Sequence, residues 1–251
     1  MNAPLSPEVA VTDQPVPQED AETATKPSVI PSRGIKMPMD KALLRPRIRQ
    51  SLRKNSYEGY EADAIMKIAR EGDTVIELGA GIGYISTLIG VHKPVKAIHA
   101  FEANPRLIDY IHRAHALNGV TNATVHNALL APRKGPPCDF YIRQNFLASS
   151  MDPEGGPEDG VVAVEQIEVR NINTTFREIK PDVLVCDIEG AEAEILPALK
   201  YDGLRAAVIE LHPQNVGAPG IRAVFDAMHA AGLAFYPRWS HRKVAVFRRE
   251  W

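Results

Sequence analysis

Thr74-Val75-Ile76-Glu77-Leu78-Gly79-Ala80-Gly81-Ile82-Gly83-Tyr84 is the stretch whose reading decides the fold. An apolar run suited to a strand ends in an acid and three glycines at alternate positions, and residues 85–89 continue with helical character. A strand feeding a glycine turn that opens a helix is a nucleotide-cradling device. The bare turn lets a ligand approach the backbone, and the free N–H groups of the helix start face it. Glycine turns also occur where a chain merely bends, so the spacing matters. A dinucleotide turn, G-x-G-x-x-G, would put its third glycine at position 84 after Gly79 and Gly81. Tyr84 stands there and the third glycine is Gly83, giving E-x-G-x-G-x-G. The next apolar run, Ala97-Ile98-His99-Ala100-Phe101, ends in Glu102. A carboxylate at that strand tip accepts two hydrogen bonds side by side, as the paired hydroxyls of a ribose require.

With these residues in place the chain resembles the S-adenosylmethionine-dependent methyltransferases, and within them the FkbM family. The resemblance rests on Val75 to Tyr84, on Ala100-Phe101-Glu102-Ala103-Asn104-Pro105, on Asp187-Ile188-Glu189-Gly190-Ala191-Glu192 and on Ile209-Glu210-Leu211-His212-Pro213. It spans roughly Tyr57 to Phe247. It implies S-adenosylmethionine as cofactor, with Gly79, Ala80, Gly81, Gly83 and Tyr84 around the methionine end and Glu77 positioning that turn. Glu102, Ala103 and Asn104 would serve the ribose, Asn127 and Ala128 the adenine, and Asp187 would also touch the cofactor. It further implies a hydroxyl acceptor on a sugar, glycolipid or polyketide-like molecule.

Composition bounds the alternatives. The chain has 251 residues, enough for one generous domain. Its 29 basic and 31 acidic residues nearly cancel, so no global field draws nucleic acid, and none is expected as a partner. Cys138 and Cys186 lie far apart and match no zinc spacing, which suits a reducing cytoplasm. No run reaches membrane-spanning length, and a signal-peptide plan is not evident.

Taken in order, residues 1–33, with six prolines among polar residues, read as a disordered tail. Residues 34–72 read as a helical segment covering the cofactor, with Tyr57 or Glu61 placed to touch it, and residues 73–251 as the methyltransferase domain. Lys41 to Lys54 carries six basic residues and no acid. It is either a lip for acidic ligands or, more simply, the solvated face of a helix starting near Pro46. From Asp73 on, strand and helix patterns alternate: strands at Thr74–Leu78, Ala97–Phe101, Val120–Asn127, Asp182–Cys186 and Ala206–Leu211, with helices between, one of them Ala191–Leu199. Asp139–Arg143 and Val161–Val169 form strands around a long loop rich in Ser, Asp, Pro and Gly. Helix Ile221–Ala231 and a terminal hairpin, Leu233–Pro237 with Lys243–Arg248, complete an α/β, doubly wound, mostly parallel sheet with one antiparallel strand.

Asp187, Glu189 and His212 sit where an open parallel sheet places its ligand crevice, and form the expected catalytic group. His212 is the expected base, since histidine titrates near working pH without tuning. Asp187 and Glu189 with one more oxygen ligand would suit Mg²⁺ or Ca²⁺ instead; no third ligand stands out, so a metal-free site is expected. Glu192 and Glu194 are accounted for by the helix dipole. Two other classes remain: an NAD(P)-dependent oxidoreductase, disfavoured by Tyr84, and a non-catalytic S-adenosylmethionine-binding protein on the same fold.

Overall fold

The computed structural model describes residues 28–144, 149, 151 and 160–251. Seven strands form the central sheet: β3 (Thr74–Leu78), β4 (Ala97–Phe101), β5 (Ala123–His126), β9 (Val183–Cys186), β10 (Ala206–Glu210), β11 (Ala234–Phe235) and β12 (Val244–Arg248). Their spatial order is β11-β12-β10-β9-β3-β4-β5. β5, β4, β3, β9 and β10 pair in parallel, whereas β12 runs antiparallel between β10 and β11. This is the doubly wound sheet with a terminal antiparallel hairpin that the alternating pattern implies.

Alternation within the strands divides the interior into two cores. Val75, Val183, Val185, Val208 and Val246 face one side, and Ile76, Leu184, Cys186, Ile209 and Phe247 the other. The first face is covered by α1 (Pro46–Arg53), α2 (Gly59–Ile68), α3 (Tyr84–His92) and α4 (Pro105–Leu117). The second is covered by α5 (Ile172–Ile179), the short α6 (Glu192–Ile195) and α7 (Pro213–Ala230). Central strands buried on both faces read as unbroken apolar runs, which is why β3 and β9 stand out in the sequence.

Several sequence expectations shift. Residues 1–27 of the expected tail lie outside the described residues, but its last part is folded. β1 (Val29–Ser32) pairs antiparallel with β2 (Ile35–Pro38), and Ile30, Ile35 and Met37 enter the first core. Residues 29–32 therefore belong to the folded domain, and the segment expected to be helical begins with the second strand of a hairpin. The expected strand at 120–127 is the shorter β5, and after Asn127 an additional strand, β6 (Ala128–Ala131), leaves the main sheet. It joins β7 (Cys138–Arg143) and β8 (Val161–Asn171) in a second sheet ordered β6-β8-β7. Most of the loop between β7 and β8 lies outside the described residues. α5 has no counterpart in the sequence reading. α6 ends early, passing into a 3₁₀ turn at Leu196–Ala198 that contains Pro197. α7 begins eight residues before Ile221, with a break at Gly217.

Candidate active site

A crevice of about 410 Å³ opens at the carboxyl ends of β3, β4 and β9. The three glycines of the first turn serve three purposes. Gly79 has φ +82°, and a Cβ there would stand 1.7 Å from the Asp187 carbonyl oxygen, so only glycine lets the turn cross the end of β9. A Cβ on Gly83 would meet Ile111 at 2.7 Å, so this glycine lets α4 close on the start of α3. Gly81, φ +54°, is different: its missing Cβ leaves open space, with only the Tyr57 hydroxyl at 4.0 Å. Gly81 lines the crevice, and that buried hydroxyl has no hydrogen-bond partner.

Glu102 ties the turn to the next strand. One carboxylate oxygen accepts from the Gly81 N–H and the other from the Asn104 N–H, both at 2.7 Å. Burial pushes its carboxyl up to about 7 despite the backbone donors at Asn104, Gly81 and Ala103. Past Glu102 the wall is apolar: Phe101, Ala103, Ala128, Leu129, Leu130 and Phe140. An acid for a ribose, an apolar slot for a base, and an uncovered backbone turn beside an orphan hydroxyl are what S-adenosylmethionine needs. It is the cofactor this crevice fits.

Not every expected cofactor residue reaches the crevice. Gly79, Gly81, Glu102, Ala103, Ala128 and Asp187 line it. Glu77, Ala80, Gly83, Tyr84, Asn104 and Asn127 stand behind the wall. Tyr84 is in the core, its hydroxyl 3.0 Å from Ser32 Oγ and its ring edge-on to Tyr57. Asn127 Nδ2 donates to the Glu102 and Ala103 carbonyls at 2.9 Å each, holding the loop instead of reading a base. Asn104 caps α4 by accepting from the Arg106 N–H. Glu77 is only 2% exposed, and burial raises its carboxyl to about 8.

At the other end of the crevice the three expected catalytic residues converge. His212 Nε2 lies 3.5 Å from Asp187 Oδ1 and 3.3 Å from Glu189 Oε2. Asp187 and Glu189 line the crevice, but His212 is 2% exposed and sits behind them. The turn carrying the acids is held from both sides. Glu189 adopts φ +54°, rare for a residue with a side chain, and its carbonyl accepts from Asn215 Nδ2. The Gly190 N–H donates to Glu192 Oε2 at 2.7 Å. Glu192 Oε1 accepts from both the His212 N–H and His212 Nδ1, at 3.0 and 3.2 Å.

Glu192, fully buried, is thus the anchor of the site and more than a complement to the helix dipole. Its place in D-x-E-G-A-E was visible; that it would turn inward was not, because first-turn acids usually face solvent. Glu210 and Glu61 complete the cluster. Glu210 Oε1 is 4.0 Å from His212 Nε2 and 3.8 Å from Lys243 Nζ. Burial, then the charge of Glu210, drives Asp187 well above the usual carboxylate range, and burial raises Glu61 to about 7. His212 runs the opposite way. Burial alone would lower it, but the Glu192 hydrogen bond and the Glu189 and Asp187 charges raise it. Buried behind Asp187 and Glu189, His212 reaches the crevice only through those two carboxylates.

Comparison with known proteins bears on the kind of transferase. Residues 50–130, which include the glycine turn and Glu102, match one family model. That family is the TRM5/TYW2 methyltransferase domain. A curated relative, the tRNA wybutosine-synthesizing protein 2 homolog of Danio rerio, is 30% identical over 136 residues. The aligned part covers 50% of this chain and 32% of the relative, so the chain spans about a third of that protein's length. Among solved structures, Trm5b of Pyrococcus abyssi superposes with a TM-score of 0.47 at 14% identity, covering 88% of this chain and 55% of that one. TYW2 of M. jannaschii, solved in complex with AdoMet, gives 0.44 at 13% identity, covering 89% and 87%.

The strand order, the crevice and the TRM5/TYW2 match together give the S-adenosylmethionine-dependent methyltransferase fold. Two sequence expectations are overturned by the same findings. The FkbM resemblance yields to the TRM5/TYW2 model; its first two motifs lie inside the matched segment. The exclusion of nucleic acid and the choice of a small-molecule or carbohydrate acceptor fall with it, because the curated relative is named for wybutosine synthesis on tRNA. Near-neutral total charge averages over distinct acidic and basic regions, and so gave no valid exclusion. Among the described residues no helix is long and apolar enough to cross a membrane.

Proposed function

We propose that this chain is an S-adenosylmethionine-dependent methyltransferase whose acceptor is a nucleobase of a tRNA. The observation carrying the reading is that the donor end of the crevice, with Gly81 and Glu102, lies within the segment matched by the TRM5/TYW2 methyltransferase domain. S-adenosylmethionine supplies an electrophilic methyl group when bound. The chain holds the donor through Gly81, Glu102 and the apolar wall, and presents Asp187 and Glu189 at the other end of the crevice. Carboxylates accept from the N–H donors of a base edge. The phosphates would be met elsewhere. α1 and its approach expose Lys41, Arg45, Arg47, Arg53 and Lys54, and the chain then passes to Glu58 in the crevice wall. An acidic pocket for a base beside a basic strip for a backbone is a workable division for a polyanionic acceptor.

The test is transfer of tritium from methyl-labelled S-adenosylmethionine to unmodified tRNA transcripts. Label should appear in the RNA and, after digestion, on a nucleobase. A protein that binds S-adenosylmethionine and leaves every transcript unlabelled would overturn the acceptor reading.

A further inference from the structure

We propose that Asp187, Glu210 and His212 form a binding site for one divalent transition-metal ion. The sequence alone argues for a metal-free site because no third ligand accompanies Asp187 and Glu189. The fold supplies it by bringing the ends of β9 and β10 side by side. Asp187 follows β9, Glu210 closes β10, and His212 comes two residues later. One ligand atom from each of the three lies within 4.8 Å of the others. His212 Nε2 is 3.5 Å from Asp187 Oδ1 and 4.0 Å from Glu210 Oε1. Donors bound to one ion at ~2.0–2.2 Å stand roughly 3–3.6 Å apart, so the His212–Asp187 pair already fits, and Glu210 must move toward the other two to close the shell.

Two independent features point to a cation. Asp187 Oδ1 is wholly buried and accepts no hydrogen bond, and it is aimed at His212 Nε2. That contact is an ion pair only while Nε2 carries a proton, and a buried acceptor that receives no hydrogen bond is unusual and costly. The second feature is the far side of the imidazole. Nδ1 is held by Glu192, a fully buried carboxylate that also accepts from the His212 and Gly190 backbone N–H groups. A histidine whose Nδ1–H is fixed by a carboxylate presents Nε2 as the coordinating atom, as at metal centres generally. In the metal-free protein a proton on Nε2 takes that place, and an ion would replace it.

The donor set selects the metal. One imidazole nitrogen with two carboxylates suits Mn²⁺, Fe²⁺ or Zn²⁺ better than Ca²⁺ or Mg²⁺, which prefer oxygen alone. Charge favours occupancy as well. Asp187, Glu189, Glu192 and Glu210 surround one histidine, and the only other cation within 4.0 Å of these carboxylates among the described residues is Lys243, at 3.8 Å from Glu210. Glu189 stays outside the ligand set and faces the crevice. The site is independent of what the acceptor is, since it is defined by this chain's own side chains.

Mn²⁺ titrated into the full chain, without cofactor or RNA, should fill one saturable site per chain. Pulsed electron paramagnetic resonance should then show ¹⁴N coupling from His212. Glu210→Gln and Asp187→Asn should each weaken Mn²⁺ binding by more than tenfold. Glu192→Gln, which leaves all three ligands in place, should weaken it by about 10–100-fold. Absence of a saturable site, a bound ion without nitrogen coupling, or affinity unchanged in Glu210→Gln would each overturn the proposal. Should a variant fail to fold by circular dichroism, the nitrogen coupling in the wild-type chain decides alone.

Discussion

At the scale of single residues, Glu102 holds the glycine turn, and if its charge meets the ribose as proposed, its protonation should set cofactor binding. Its carboxyl titrates near pH 7 in the folded protein, above the 4.5 of a free glutamate. The charged form accepts ribose hydroxyls best, so affinity for S-adenosylmethionine should fall as pH drops below about 7. Removing the side chain with Glu102→Ala should weaken the dissociation constant by roughly 10–100-fold, the worth of about 1.5–3 kcal/mol for one charge-assisted hydrogen bond. Calorimetric titration at pH 6 and 8 checks both. Glu77 is buried without facing the crevice, and its raised folded value of about 8 makes a stability prediction with a definite sign. A raised carboxyl favours folding below about 4.5 and loses that contribution as pH rises through 8. Urea unfolding should show Glu77→Gln gaining on the wild type by about 1 kcal/mol per pH unit across that window. The acid of E-x-G-x-G-x-G was legible in the sequence, but not that it turns away from the crevice. Glu192 was misread in the opposite direction, since an inward tilt depends on the neighbouring strand end that supplies His212.

At the scale of elements, the β3–α3 turn was legible because it joins a doubly buried strand to glycines at fixed offsets. Its tolerance to substitution should be uneven in a way the spacing does not reveal. Gly79→Ala combines a left-handed backbone with a collision against the Asp187 carbonyl, and should cost about 2–5 kcal/mol in urea unfolding. Gly119→Ala, also left-handed at φ +67° but with nothing within 4 Å of its Cβ, should cost only about 1 kcal/mol. The hairpin β1–β2 was hidden. Its strands are four residues each, and proline-rich sequence masks their alternation. A chain beginning at residue 34 loses Ile30 from the first core and should melt several degrees below one beginning at residue 28. Equal melting temperatures would show that the hairpin is dispensable. The small β6-β8-β7 sheet was legible only as two strands, because its third member is four residues long and follows β5 after a single residue.

At the scale of the molecule, a net charge of −2 conceals a strong division. Carboxylates gather at the mouths of β9 and β10, while Lys41 to Lys54 carries six basic residues and no acid. If the acceptor is a tRNA, replacing Arg47, Arg53 and Lys54 by glutamine should weaken RNA binding and flatten its dependence on salt, with affinity for S-adenosylmethionine unchanged. Filter binding between 50 and 200 mM salt, a span over which such contacts weaken by orders of magnitude, reads this directly. The doubly wound, mostly parallel sheet was legible from alternation alone, though the order of its strands was not. The acceptor was not, because it is chosen by surfaces that no local motif encodes, and motifs shared among methyltransferases pointed to the wrong relatives. The donor site is the part on which everything else depends. Its most direct test is calorimetric titration of the purified chain with S-adenosylmethionine and, separately, with NAD⁺. One S-adenosylmethionine per chain and no heat from NAD⁺ is the expected result; binding of NAD⁺ with none of S-adenosylmethionine would contradict the account.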